Sequence, residues 1–305
     1  MNIDFVFPYV NPTDIEWQKR HIHTCRQLGK KIDLNGTRYR DWGLLKYLFR
    51  SIEQCAPFIR NVYMIVENMS QVPQWVNRDT VNIVCHKDII PSQYLPTYNS
   101  CTIEMFLHNI RNLSEHFIYS NDDLYFMNMC EAQNFFNEDG KPIVRLKTVS
   151  YDASAKMFRM QCANCEDLFL PDTRKCITRK YTHTTYHTMT AMRVSTAREI
   201  WSKYHTQIEQ SISTFRQRKN INQYIYPMYE YYVNNAQPHN FITSEYVAIG
   251  RESISDIIYK INNTKKQVIC INDTMKVKNN EISSDIMHLT VAFNRRFHEK
   301  SKYEI

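Results

Sequence analysis

The 305-residue sequence predicts an α/β fold in which a mostly parallel sheet lies between flanking helices. Short apolar, β-prone runs alternate along the chain with segments whose apolar residues recur at helical spacing. Strands separated by helices generally join a parallel sheet through right-handed crossovers. A variable insertion and a helical C-terminal part complete the predicted architecture.

The individual elements follow from local patterns. Predicted strands cover residues 3–10, 61–66, 81–85 and 116–120. A helix is expected over residues 44–52, where the leucines, Phe49 and Ile52 form one apolar face. Ser100 can cap a second helix. The polar stretch 21–39 is predicted to be a linker. An amphipathic helix is expected over residues 221–232, with a kink at Pro227.

The chain is organised around residues 95–126, where a helix and a buried strand lead into Asn121-Asp122-Asp123. Carboxylates just past the carboxyl end of a strand lie where open α/β sheets place their ligands. Because side chains alternate along a strand, we expect one aspartate to face a metal or substrate and the other to hold the loop. The alternative is an ordinary turn, for which Asn-Asp-Asp is well suited.

Composition narrows the classes of function. With only 5 glycines, the sequence contains no glycine-rich phosphate-binding loop, so any nucleotide must be held by side chains, a helix terminus or a metal. The net charge of +7 suits an anionic ligand or a weak association with a membrane surface. Nucleic-acid binding is disfavoured because no recognisable binding motif accompanies this charge.

Location and redox state are also constrained. The first residues lack the basic region and long apolar run of a signal peptide, and no window suits a membrane span. We therefore expect a cytoplasmic protein, with peripheral membrane attachment as one option. Nine cysteines, an odd number, favour free thiols in a reducing compartment. Cys162, Cys165 and Cys176 form a candidate zinc site, but cysteines that simply pack are the favoured interpretation.

An ordered series of short motifs occupies residues 95–123. It consists of Leu95-Pro96-Thr97, Asn99-Ser100, Ile103-Glu104, His108, Leu113-Ser114 and Phe117-Ile118-Tyr119 with Asn121-Asp122-Asp123. This series resembles the second conserved region of the Stealth family. Its members are hexose-1-phosphoryltransferases, which include bacterial capsule and surface-polysaccharide enzymes and the animal lysosomal-enzyme N-acetylglucosamine-1-phosphotransferase.

Other segments resemble the remaining conserved regions of that family. The matching residues are Asp4, Val6, Val10, Asn11, Asp14 and Trp17, then Asp41 and Arg50-Ser51-Ile52-Glu53, then Tyr186-His187, Arg218 and Asn272-Asp273. The sequence departs from the family at several positions. Tyr9 and Pro12 replace the usual Trp and Gly, Trp42-Gly43-Leu44 replaces an acidic motif, and Met189 replaces a proline.

The resemblance implies a nucleotide-sugar-transferase-like fold, GT-A-like or Rossmann-like, in a single catalytic domain over residues 1–305. Residues 1–130 would form the nucleotide-sugar-binding core, 131–180 a variable subdomain, and 181–305 the part that completes the site. The implied reaction moves a sugar 1-phosphate from a UDP-sugar to a hydroxyl of an oligosaccharide or polysaccharide acceptor. UMP is released, and the expected sugar is an N-acetylhexosamine.

The resemblance also implies roles for single residues. Asp122 and Asp123 would hold Mg²⁺ or Mn²⁺ on the donor pyrophosphate, with Asp123 as the main ligand. Arg218 would grip phosphate oxygens, unless it lies in a solvated basic turn. His187 would take the acceptor proton or hydrogen-bond to phosphate, and both roles stay open. The candidate substrate contacts are Asp4, Asn11, Asp41, Arg50, Asn99, Glu104, Asn121, Asn272 and Asp273.

Several other histidine and arginine positions allow more than one interpretation. Arg50 is about as well explained by a pair with Glu53 or by solvation as by a phosphate contact. His86 follows a predicted strand, but a structural histidine is the favoured interpretation. His183 and His187 are four apart, yet the β-branched run around them disfavours a helix, so a single functional His187 is preferred.

Two other functions remain compatible with the sequence. One is a metal-dependent glycosyltransferase that moves only the sugar and releases UDP. It would use the same aspartates but leave Arg218 and His187 without a phosphoryl group to act on. The other is a non-catalytic carbohydrate-binding protein, which the 20 tyrosines would allow. That function leaves the aspartates, His187 and Arg218 unexplained as a set.

Overall fold

A computed structural model describes residues 1–32, 34, 39–152, 156–170, 180–239, 244–274, 277 and 282–305. The strands in these ranges are β1 (Ile3–Pro8), β2 (Ile59–Val66), β3 (Val81–Cys85), β4 (His116–Tyr119), β5 (Leu124–Phe126), β6 (Leu146–Ser150), β7 (Tyr181–Thr185), β8 (Thr190–Arg193), β9 (Ser244–Ala248) and β10 (Val268–Asn272). The α-helices are α1 (Ile15–Gln27), α2 (Leu45–Cys55), α3 (His86–Ile89), α4 (Ser100–Glu104), α5 (Met157–Asp167), α6 (Val194–Ser211), α7 (Ile225–Tyr232), α8 (Ile254–Asn263) and α9 (Ile282–Arg296).

The main sheet has five strands in the order β3-β2-β1-β4-β8. The first four run parallel, and β8 is antiparallel to β4. Successive side chains of β1 enter different cores because they alternate between the faces of the sheet. Phe5 and Phe7 pack with α2, whereas Val6 packs in the cluster that includes α6 and α7. The predicted α/β fold with a mostly parallel sheet and flanking helices is confirmed.

Two smaller sheets extend this core. In the first, β10 lies between β5, which is antiparallel to it, and β9, which is parallel to it. In the second, β6, which lies in the predicted variable insertion, forms an antiparallel pair with β7, which begins just after that insertion. Since β8 joins the main sheet and β10 pairs with β5, the part of the chain after residue 180 is interleaved with the N-terminal part.

Three local predictions need correction. The predicted linker at 21–39 begins inside α1, which Asp14 caps by accepting from the N–H groups of Glu16 and Trp17. Its buried stripe is narrow, so the polar composition concealed the helix. Asn99, not Ser100, caps α4 by accepting from the Cys101 N–H. Helix α7 starts only at Ile225, which places Pro227 in its first turn, where proline causes no kink.

Asp4 and Arg50 are structural residues in this fold and do not reach the cavity described below. Asp4 is fully buried near the start of β1, where it accepts from the Arg60 guanidinium at 3.0 and 2.9 Å and from the Ser114 N–H at 2.7 Å. Arg50 makes a two-pronged ion pair with Glu304, at 2.8 Å for both bonds. This pair attaches the C-terminal tail to α2. Arg50 therefore contacts neither the cavity nor Glu53, the alternative partner considered from the sequence.

Cys162 and Cys165, two of the candidate zinc ligands, make packing contacts with neighbouring side chains. Cys162 lies 3.5 Å from the Thr184 hydroxyl, and Cys165 lies 3.3 Å from the Asn222 side-chain oxygen. The described cysteines are buried free thiols. Cys176, the third candidate ligand, lies outside the described residues. None of the described helices is long and apolar enough to cross a membrane.

The Arg50–Glu304 pair predicts a stability change. Glu304→Gln is expected to lower the free energy of unfolding by about 3 kcal/mol, because it leaves a buried guanidinium charge without its partner. Denaturant unfolding measures the difference. Glu299→Gln, at an exposed carboxylate five residues away, should change stability little. Equal stability of Glu304→Gln and wild type would contradict the structural role of Arg50.

Candidate active site

A cavity of about 430 Å³ opens at the carboxyl ends of β1 and β4. The strand order places β2 and β3 on one side of β1 and β4 on the other, so the chain reverses its direction of winding between β1 and β4. Open α/β sheets bind ligands in the crevice at such a point. Pro8, Tyr9 and Val10 line the cavity from β1, and residues 121–123 line it from β4.

The two aspartates lie in a short connection between two sheets. Strand β4 belongs to the main sheet, and β5, which starts at Leu124, belongs to the sheet with β10. At one end of the connection the Ser120 N–H donates to the Val6 carbonyl at 2.9 Å. At the other end the Ile271 N–H donates to the Asp123 carbonyl at 2.9 Å. Both sheets therefore fix the backbone that carries Asp122 and Asp123.

The surroundings of this pair disfavour its negative charge. The cavity wall raises the pKa of Asp122 to about 7, first by burial and then through the charges of Asp123 and Asp41. Burial raises the pKa of Asp123 to about 6, although the Cys270 thiol near its Oδ2 acts in the opposite direction. Among the described residues, the buried Oδ1 of Asp123 has no hydrogen-bond partner. The pair is thus an uncompensated negative centre.

These features fit a hard divalent cation. Mg²⁺ prefers oxygen ligands and is commonly held by one or two carboxylates together with substrate phosphates. Across the described ranges, no three His, Cys, Asp or Glu side chains converge to form a complete protein cage. The carboxylates of Asp122 and Asp123 would therefore supply only part of a coordination shell, which the substrate would complete.

His187 is connected to Asp123 by a series of contacts. Tyr246 and Cys270 are paired across β9 and β10, so their side chains share one face of that sheet. Cys270 Sγ lies 3.7 Å from Asp123 Oδ2, and the Tyr246 ring lies 4.5 Å from the His187 ring. His187 lines the same cavity as the aspartates. Burial of the imidazole lowers the pKa of His187, and the nearby positive charge of Lys147 lowers it further.

His183 takes a different position from His187, as the preference for a single histidine anticipated. It lies in strand β7, and its Nδ1 is 2.5 Å from Glu166 Oε1. Strand geometry prevents the two histidines from forming a helical i, i+4 pair.

Arg218 is not in the cavity, and Arg216 takes its place. The Asn220 N–H donates to the Gln217 carbonyl, so Arg218 and Lys219 occupy the corners of a turn and are exposed. The Arg218 guanidinium contacts Met160 on the surface. Arg216 lines the cavity and donates to the Ser100 hydroxyl. The role given to Arg218 therefore needs correction: the solvated turn is its actual setting.

The remaining candidate residues divide into two groups. Asp41, Asn121, Asn272 and Asp273 line the cavity with the aspartate pair. Asn99 and Glu104 also line it, but their side chains mainly connect parts of the protein. Asn99 donates to the Ser213 carbonyl at 3.1 Å, and Glu104 accepts from the Gln223 N–H at 2.7 Å. Burial raises the pKa of Glu104, while the Arg216 charge and the hydrogen bond from the Gln223 N–H oppose that rise.

Two further residues have structural positions. Asn11 does not line the cavity, because its Oδ1 accepts from the Thr13 N–H and hydroxyl at 3.0 and 2.7 Å and so shapes the turn after β1. His86 lies on the cavity wall at the start of α3, where burial lowers its pKa to about 4 and keeps the ring neutral. His86 therefore lines the cavity as a neutral imidazole.

Sequence reasoning missed three cavity residues or neighbours: Arg40, Arg216 and Tyr246. The local signal for Arg216 was weak, because Asn220 is the single turn-forming residue at 217–220. Arg40 is positioned by a 3.1 Å ion pair with Asp273, which is 233 residues away in sequence. Tyr246 depends on the pairing of β9 with β10. No local pattern reveals these two contacts.

The sequence comparisons identify the family. The model of Stealth protein CR2, conserved region 2, matches residues 38–144. Capsular polysaccharide phosphotransferase LcbA of Neisseria meningitidis is 31% identical over 255 residues, which cover 79% of this chain and 68% of LcbA. The chain belongs to the Stealth family. This confirms the resemblance inferred from the motifs.

Other family members align over different parts of the chain. Capsular polysaccharide phosphotransferase WcwK of Streptococcus pneumoniae is 28% identical over 332 aligned positions, covering 99% of this chain and 98% of WcwK. Exopolysaccharide phosphotransferase cps2G of Lactiplantibacillus plantarum is 40% identical over 144 residues, covering 46% of this chain and 41% of cps2G. The Stealth chain described here is accordingly an enzyme of the phosphotransferase class.

A solved structure with a related arrangement is the apo form of mouse xyloside xylosyltransferase 1. It superimposes with a TM-score of 0.39 and 11% identity, covering 89% of this chain and 98% of that chain. This likeness is too distant to support an argument about the site.

The aspartate pair predicts a stability gain that accompanies loss of function. In metal-free protein at pH 8, Asp123→Asn is expected to raise the melting temperature by about 2 °C, or roughly 1 kcal/mol after allowance for solvent screening. The reason is that one of two half-buried like charges is removed. Melting curves in EDTA measure the shift. Asp79→Asn, at an exposed aspartate, is the matched control.

The same substitution has a defined pH dependence. A carboxyl whose pKa is raised by folding binds its proton more tightly in the folded state, so ionisation weakens folding as the pH rises. This penalty develops between the ordinary value of 3.8 and the raised values of about 6 and 7. The gain from Asp123→Asn should therefore be smaller at pH 5 than at pH 8. A lower melting temperature at pH 8 would instead mean that Asp123 mainly holds the loop.

Proposed function

We propose that the protein transfers a sugar 1-phosphate from a UDP-sugar to a hydroxyl group of a capsular polysaccharide or exopolysaccharide acceptor. The expected sugar is an N-acetylhexosamine. The single observation that carries this proposal is the shared cavity of the uncompensated Asp122–Asp123 pair, Arg216 and His187. Phosphotransferase relatives that act on capsular polysaccharides support the choice of acceptor.

The proposed reaction occurs at phosphorus. The acceptor oxygen attacks the β-phosphorus of the donor, and the bond from that phosphorus to the oxygen shared with the α-phosphate breaks. UMP leaves with the shared oxygen, and the sugar keeps its bond to the transferred phosphate. The product is a phosphodiester between two sugars. Such a reaction depends on positioning and on neutralisation of phosphoryl charge.

The residues of the cavity meet these requirements in different ways. Arg216 has a planar, permanently charged guanidinium that can contact phosphate oxygens without giving up a proton. Glu104 and Ser100 hold this side chain at the wall of the cavity. Asp122 and Asp123 would hold Mg²⁺ or Mn²⁺, which would supply positive charge to the donor phosphates.

His187 is the proposed acceptor of the proton from the attacking hydroxyl. Burial and Lys147 lower its pKa, so the imidazole is largely neutral near pH 7 and can accept a proton. No other histidine that lines the cavity has this setting among the described residues, because the His86 ring is buried and its pKa lies near 4. The expected cytoplasmic location stays a prediction.

The released nucleotide tests the proposed function. Purified protein with a panel of UDP-sugars, Mg²⁺ and acceptor is expected to release UMP in step with acceptor consumption. Attack at phosphorus requires UMP because the donor β-phosphate leaves with the sugar. Anion-exchange chromatography separates UMP from UDP. Release of UDP would show that the protein is the sugar-only transferase, and no release from any donor would contradict catalysis.

The correction from Arg218 to Arg216 gives a second test. Arg216→Lys keeps the charge but loses the planar fork, so the rate should fall about tenfold, or roughly 1.4 kcal/mol. Arg218→Lys, two residues away, should stay within about twofold of wild type because its side chain lies outside the cavity. Initial rates at saturating donor measure both. A larger loss from Arg218→Lys would restore the original assignment.

A further inference from the structure

His187 contacts two aromatic rings from distant parts of the chain. Phe158, on α5, stacks at 6.2 Å with an interplanar angle of 17°, and Tyr246, on β9, lies at 4.5 Å and 35°. Both aromatic residues are among the exposed large hydrophobics, at 37% and 39% of their surface. Single exposed rings are ordinary on proteins, but here two converge on the histidine of the cavity.

Neighbouring residues hold both rings in place. The edge of Tyr224 meets Phe158 at 5.5 Å and 86°, and Tyr224 is itself buried on the cavity wall. Tyr246 is fixed by the register of β9 on β10, in which it is paired with Cys270. A ring that is already held loses little conformational freedom when a ligand covers its open surface. These exposed surfaces are therefore suited to binding.

The chemistry of the rings matches a sugar. The face of an aromatic ring carries partial negative charge, and the C–H groups of a pyranose face carry partial positive charge. A phosphate group, in contrast, has no favourable interaction with such a face. Arg216, together with a cation held by the aspartate pair, would suit the donor phosphates, which leaves the aromatic rings beside His187 for a neutral sugar ring.

We infer that Phe158 and Tyr246 form a platform for the acceptor sugar whose hydroxyl is delivered to His187. This inference rests on the proposed function, because it assigns the acceptor side of the same site. It also gives a role to α5, which lies in the region that the sequence marked as a variable insertion. Sequence differences in this region would then change which acceptor sugar binds without changing the residues that contact the donor.

Acceptor kinetics test the platform. The probe is the repeat-unit oligosaccharide obtained by hydrofluoric acid cleavage of the phosphodiesters in the surface polysaccharide of the organism that carries the gene. Phe158→Ala and Tyr246→Ala are each expected to raise the acceptor KM about tenfold, as expected when an aromatic contact is lost. The KM for the UDP-sugar should change by less than about twofold, because no donor contact is removed.

Matched variants separate the platform from other roles. Phe158→Tyr and Tyr246→Phe keep a ring and should restore the wild-type acceptor KM. Tyr259→Ala removes a ring that is 69% exposed on α8, away from the cavity, and should have no effect. An unchanged acceptor KM in the alanine variants would overturn the inference. A fall in kcat alone would also overturn it, since the rings would then only position His187.

A binding measurement keeps this inference distinct from the proposed function. Saturation-transfer NMR with the same oligosaccharide and no donor should show binding to wild type and weaker binding to both alanine variants. If wild type releases no UMP but shows this binding pattern, the proposed reaction fails and the platform stands. If UMP is released and the alanine variants bind the oligosaccharide as wild type does, the reaction stands and the platform fails.

Discussion

The connection from Ser120 to Asp123 has to leave one sheet and enter another within a few residues. Backbone hydrogen bonds to β1 and to β10 hold its two ends, so the aspartates cannot move away from each other or from the cavity. The same pairing of β5 with β10 brings Asn272 and Asp273 to this cavity from the C-terminal third of the chain. The arrangement of the site therefore depends on the short backbone connection that links the main sheet to the sheet with β10.

The aspartate pair in the cavity and two carboxylates outside it differ in whether an arginine neutralises them. The carboxylates of Asp4 and Glu304 each receive two hydrogen bonds from an arginine. Asp122 and Asp123 have no such arginine within the described part of the chain, and their pKa values are raised. Uncompensated buried charge weakens a fold, and strongly perturbed carboxylates are typical of functional sites. Under the proposed function, this loss of stability would accompany affinity for a cation and the donor phosphates.

Local patterns predicted much of the fold. Strand β3 and the apolar face of α2 were predicted closely, because alternation and helical spacing are short-range signals. The partners of charged residues could not be predicted in this way. Arg50 and Glu304 are 254 residues apart, so only the folded chain shows that Arg50 is structural. The sequence motif led to the aspartate pair that lines the cavity, but the arginine was misplaced because the direction of its side chain depends on a turn.

The central claim is that Asp123 completes a cation site only together with the donor phosphates. Isothermal titration of Mn²⁺ into the protein, with and without saturating UDP, tests it most directly. We predict weak binding of Mn²⁺ alone, binding at least about tenfold tighter with UDP, and the same gain for UDP affinity when Mn²⁺ is present. Asp123→Asn should lose this coupling. Mn²⁺ and UDP binding that is equally coupled in Asp123→Asn and wild type would contradict the account.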